Sequence, residues 1–81
     1  MIYKMYAIKD ELNGYTPWIP FLSEELAKRY MKDQYEGNPT IHNTPEHFGI
    51  YLMGEFDTET GRCTDYDNKK LVEGASSYGN N

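Results

Sequence analysis

The stretch FGIYLMGEFDTETGRC, residues 48–63, decides the fold. Its first nine residues carry a period of two, which puts Ile50, Leu52 and Phe56 on one side of a strand and Tyr51, Met53 and Glu55 on the other. The pattern then breaks into acids, threonines and a glycine. A calcium loop would need glycine at its sixth position and glutamate at its twelfth. Counted from Asp57, Gly61 is fifth and the twelfth residue is Asn68, so the metal reading fails. A hairpin accounts for every residue: a turn over Thr58–Thr60, Gly61 in a left-handed bulge position, and RCTDY as the returning strand.

A lone hairpin is marginal in water and needs another strand beside it. IYKMYAI, residues 2–8, supplies one, rich in β-branched and aromatic types on both faces. Asn13-Gly14 is a turn dipeptide, and YTPWIPF after it holds two prolines that cannot donate to a ladder, which predicts a short extended edge. Ser23 stands at an N-cap, followed by Glu24 and Glu25 at the positive end of a helix dipole. Leu26, Ala27, Tyr30 and Met31 form the apolar stripe, with Glu24–Lys28 and Glu25–Arg29 as supporting pairs. Gly37 ends the helix and Pro39 forbids its resumption. Asn38 to His47 reads as loop with one capped turn at Thr44–Glu46, KKLVEG as a short edge strand, and ASSYGNN as a mobile tail.

The expected fold is α+β: a small antiparallel sheet of about three strands near 2–9, 49–56 and 62–67, with one helix over 23–36 packed on one face. Leu26, Tyr30, Ile50, Leu52 and Phe56 are its expected core. Residues 1–74 form the single domain and 75–81 a flexible C-terminal tail.

Eighty-one residues bound what such a domain can do, because a chain this short buries only a modest core and has little room for a deep catalytic cavity. Thirteen acids against eight Lys and Arg give a net charge of -5, which weakens long-range attraction to phosphate. The single Cys63 closes no intramolecular disulfide, which fits a reducing cytoplasm. No apolar run approaches the roughly 20 residues of a membrane helix, so a soluble protein without membrane contact is expected.

His42, His47 and Cys63 fall short of the four ligands and paired cysteines of structural zinc, and no phosphate loop or dinucleotide fingerprint is present. No metal, cofactor or catalytic residue is assigned, and an enzyme is not expected. Aromatics are the unusual resource: eight Tyr, three Phe and one Trp exceed what a small core hides. Exposed tyrosines stack on unpaired bases, so Tyr3 and Tyr51, with Lys4, Arg62, Lys69 and Lys70 for phosphate and Lys9 beside them, form one candidate nucleic-acid face. The competing reading uses Tyr3, Met5, Tyr51 and Met53 as a self-association face of a homodimer. Lys28, Arg29 and Lys32 read as the wet side of the helix.

Three segments, MIYKMYAIKDELNGYTP, TPEHFGIYLMGEFDTETG and KKLVEG, resemble the small nonstructural protein of gokushovirus-type microviruses, bacteriophages with circular single-stranded DNA. Tyr6, Ile8, Asp10, Gly14 and Pro17 match its first block, and Pro45, Gly54, Phe56, Asp57, Thr60 and Gly61 its second, with Ala27 and Arg29 between. His47 and Phe48 depart from the usual Tyr-containing strand entry, and DYDNKK lacks a proline common before the last apolar pair. The resemblance implies a non-virion role in viral single-stranded DNA synthesis in the host bacterial cytoplasm. The resemblance and the aromatic sheet favour weak single-stranded DNA binding, whereas the acidic balance and the absence of a basic stripe favour a non-catalytic adaptor role toward the phage replication initiator or a host replication protein.

Overall fold

The hairpin at 48–63 forms as its turn residues dictate. In a computed structural model describing residues 1–79, strands β4 (Phe48–Asp57) and β5 (Cys63–Gly74) run antiparallel through it. Gly61 has φ +75, its N–H donates to the Asp57 carbonyl at 2.8 Å, and the Asp57 carboxylate accepts from the Glu59 N–H at 2.9 Å. β1 (Ile2–Asp10) pairs antiparallel with the other side of β4. Gly14, with φ +89, turns the chain back into β2 (Gly14–Tyr15), and β3 (Ile19–Phe21) pairs further along the same outer edge of β1. Pro20 stands opposite Met5 on this edge, where a missing donor costs no ladder bond.

The architecture is therefore an antiparallel sheet with a helix, with strand order β2-β1-β4-β5, and it has five strands instead of about three. The two additions are two and three residues long, too short to carry a period, and Pro17 and Pro20 mask them. β5 is also one continuous strand to Gly74, not a strand at 62–67 followed by a separate edge.

Helix α1 (Glu24–Gly37) starts where Ser23 predicts, its hydroxyl accepting from the Leu26 N–H at 3.3 Å. The expected loop after it contains a second short helix, α2 (Pro39–Asn43), capped by the Asn38 side chain on the Thr40 N–H, with Pro39 at its first position. A 3-10 turn follows at Pro45–His47.

Together α1 and α2 close one face of the sheet over Tyr6, Ile8, Ala27, Met31, Ile41, Ile50 and Ala75. Tyr30 and Leu52 pack against this cluster as expected, but Leu26 is 42% exposed. The buried line of the helix runs through Ala27 and Met31, one turn apart, and Leu26 lies beside it. The 14 residues of α1 span about 21 Å. The long axis of the molecule is 42 Å.

The expected core place of Phe56 is corrected by a bulge. Met5 pairs with Gly54 and Tyr6 with Leu52, so Met53 is an extra residue in β4. The insertion reverses the alternation beyond it. Leu52 lies beside Tyr6 on the helix side, whereas Phe56 lies beside Tyr3 on the outer face and Glu55 beside Lys4. A Lys4–Glu55 ion pair at 3.6 Å fits that placement.

Nor does a mobile tail begin at residue 75. Ala75–Tyr78 form a 3-10 turn, Ala75 is fully buried, and the Tyr78 hydroxyl donates to the Lys28 carbonyl at 3.0 Å. The last two positions of the predicted tail lie outside the described residues.

Candidate nucleic-acid interface

Strand pairing alone builds a cluster on the outer face. Lys9 stands opposite Tyr15 across the turn, and Ala7 stands opposite Tyr51 in the neighbouring strand. The two tyrosine rings meet edge to face, with centroids 5.9 Å apart and planes at 86°. Lys9 Nζ sits 5.5 Å from the Tyr15 centroid and 5.8 Å from that of Tyr51, a double cation–π contact. Tyr15 is 43% exposed, so a ring and an ammonium are presented together to solvent.

Beside Tyr51 the face opens into a cleft of about 260 Å³. Gly49 and Gly74, opposite one another in β4 and β5, lie along it, and Leu71 covers the buried Gly49. Leu71, in register with Tyr51, forms one wall. The other wall is polar: His47 Nδ1 is 2.9 Å from Glu11 Oε2, and His47 Nε2 is 3.7 Å from Glu46 Oε1. The hydrogen bond to Glu11 raises the His47 pKa, since it favours the charged imidazolium. The Glu11 N–H also donates to the His47 carbonyl at 3.1 Å, which ties the β1–β2 turn to the 3-10 turn.

The six residues proposed from sequence do not converge. Tyr51 lies in this cluster, and Tyr3 is on the same face but at the far end, beside Phe56. Lys4 is on the helix side, where it donates to the Tyr66 hydroxyl at 3.1 Å and has a raised pKa chiefly through that bond. Arg62 is exposed in the hairpin, and Lys70 is exposed opposite Leu52. Lys69 is tethered instead of free: it donates to the Met53 carbonyl at 3.1 Å and to the Tyr66 carbonyl, pairs with Asp65, and stands 5.7 Å from the Trp18 ring.

Lys9, expected from the sequence to contact phosphate, and Tyr15, which was not, join Tyr51 instead. Tyr15 was legible only through the Asn13-Gly14 turn, which brings it opposite Lys9.

The self-association set is also altered. Tyr3, Met5 and Tyr51 are half-buried, but Met53 is 4% exposed and offers little to a partner. Next to it in β4, Gly54 is approached by Trp18, whose Cζ3 lies 3.0 Å from where a Cβ on Gly54 would stand.

Among the described residues, no group of three or more His, Cys, Asp or Glu is placed to hold a metal ion, and no helix is long and apolar enough to cross a membrane. A family model described as Phage ORF5 protein matches residues 3–78. No curated protein and no solved structure matches the chain.

Proposed function

The chain belongs to the phage ORF5 protein family, and from that premise we propose that it is a gokushovirus-type accessory protein of viral single-stranded DNA synthesis. It acts in the host bacterial cytoplasm by weak binding of single-stranded DNA, without catalysis. The observation that carries this reading is the Lys9–Tyr15–Tyr51 cluster on the open sheet face. Solvent-facing tyrosines stack on any unpaired base, and a neighbouring ammonium meets the phosphate between bases. The affinity is weak because the molecule carries a net charge of -5 and has one lysine in this cluster instead of a basic stripe.

Fluorescence anisotropy with a labelled mixed-sequence oligonucleotide tests the proposal. Binding is expected to weaken as salt rises, and Tyr51→Ala to weaken it by roughly tenfold, the loss of one stacked base. Tyr3→Ala, at the far end, serves as the distant comparison. Absence of binding at low salt would overturn the reading.

The net charge of -5 also favours a second reading, a non-catalytic adaptor that recruits the phage initiator or a host replication protein. Retention of such a protein in a pull-down, with no affinity for the oligonucleotide, would select it. Both readings accommodate a homodimer joined through the Tyr3 and Met5 end of the outer face, leaving the Tyr51 end free. Sedimentation showing only monomer at tens of micromolar, an ordinary range for such contacts, would remove the dimer.

A further inference from the structure

We propose that the cleft beside Tyr51 is a pocket for a single nucleobase, and that it selects cytosine and adenine, whose amino group stands at ring position 4 or 6 beside an acceptor nitrogen, over thymine. The inference rests on the single-stranded DNA reading above and adds a base preference to it.

Shape comes first. Pockets for drug-sized ligands begin at about 300 Å³. This cleft, at about 260 Å³, suits one planar heterocycle and not a larger body. Gly49 is buried and lets Leu71 lie over it, since a Cβ there would meet Leu71 Cδ1 at 2.9 Å. Tyr51 and Leu71 supply the apolar surface on which a base lies, and Leu71 is 51% exposed with nothing covering it.

Polar groups set the selectivity. Glu11 and Glu46 each give one oxygen to His47, which leaves their remaining lone pairs free at the rim of the cleft. Carboxylates accept hydrogen bonds and donate none. The cytosine and adenine amines can fill those acceptors, and Lys9 can donate to the ring nitrogen or carbonyl on the same edge. Thymine offers one donor on that edge, its N3–H, flanked by two carbonyl oxygens that set lone pair against lone pair at the carboxylates. The two side chains are 61% and 62% exposed, so water competes and the preference is graded, not absolute.

The test is anisotropy at pH 7.5 and low salt with labelled oligo(dC), oligo(dA) and oligo(dT) of one length. Oligo(dC) and oligo(dA) are expected to bind about five- to tenfold tighter than oligo(dT), the lower end of what one amino–carboxylate contact discriminates. The exposed double variant Glu11→Ala/Glu46→Ala is expected to bring the ratio of oligo(dC) and oligo(dA) affinity to oligo(dT) affinity near one.

Equal affinity of the unaltered protein for all three oligomers would overturn the pocket while leaving DNA binding standing. A preference that survives in the double variant would overturn the role of the two glutamates. No binding of any oligomer would remove the DNA reading and the pocket with it. Tighter binding of an oligoarginine peptide than of any oligomer, lost in the double variant, would overturn the base pocket and show the cleft to be a socket for a cationic protein partner.

Discussion

The two faces of this sheet are made from the same strands yet closed by different means. On the helix side, large side chains interlock: Met31 of α1 and Ile50 of β4 are fully buried in one cluster with Ile41 of α2 and Ala75. Among the described residues, neither α1 nor α2 lies over the outer side. Trp18 folds across β1 toward Gly54, Ala7 and Met53 are buried among side chains, and Tyr15 and Leu71 stay exposed. Burial therefore does not require a second helical layer. A bulge, a glycine and one tryptophan close half of the outer face and leave the other half, with its tyrosine–lysine cluster, accessible for binding.

The sharpest way to break that arrangement is Gly54→Ala. The new Cβ would stand 2.0 Å from the Thr64 carbonyl oxygen and 3.0 Å from Trp18, so backbone as well as ring must move. We expect a loss at or above about 3 kcal/mol, the upper end of ordinary overpacking. In a domain of this size that lowers Tm by roughly 12 °C or more. A Tm within a few degrees of the parent would refute the close strand approach at the bulge.

Comparing the faces directly takes two truncations. Met31→Ala empties a fully buried site and is expected to cost roughly 2–3 kcal/mol in urea unfolding. Phe56→Ala removes a half-exposed ring from the outer face and should cost about 1 kcal/mol. Equal losses would contradict the placement of Phe56 outside the core.

Gly61→Val probes the hairpin alone, since open space surrounds the site and only φ +75 resists a side chain. About 1 kcal/mol is expected, read as a small fall in Tm.

Acid should act more gently still. Backbone N–H groups of Glu59 and Leu12 hold Asp57 and Asp10 below their ordinary value of 3.8. Their contribution is present above that value and is lost as pH falls through the lower folded pKa. His47 runs the other way: raised by Glu11 above 6.5, it contributes fully below that value and ceases to as pH rises through its folded pKa. Asp57→Ala should flatten the acid limb of a Tm–pH curve, and Glu11→Gln the decline above neutrality.

Much of this was legible in local chemistry. The Ser23 cap, the Asn13-Gly14 turn and the left-handed Gly61 each depend on a few adjacent residues and stand where the sequence places them. The bulge does not announce itself that way. Met53 is apolar, so the run through Leu52, Met53 and Phe56 reads as unbroken alternation, and the extra residue appears only against its partner strand. A glycine inside a strand is a bulge signal, and Gly54 carries it.

The docking of Ala75 and Tyr78 was hidden for a related reason: two apolar residues in a polar stretch have no period to reveal their partners. Asn38-Pro39 was a readable cap and first helical position, obscured by reading Pro39 only as a stop. At the candidate site Tyr51 was visible from its strand. Its companions Lys9 and Tyr15 came from pairing across the turn, and the remaining lysines were drawn into contacts with Tyr66, Trp18 and Asp65.

The proposed function puts nucleic acid on the outer face and not on the helix side. A two-dimensional amide NMR titration with a short single-stranded oligonucleotide tests it residue by residue. The account predicts shifts concentrated at Lys9, Tyr15, Gly49, Tyr51 and Leu71, with Ala27 to Tyr35 unmoved. Shifts confined to α1, or none at saturating oligonucleotide, would contradict it.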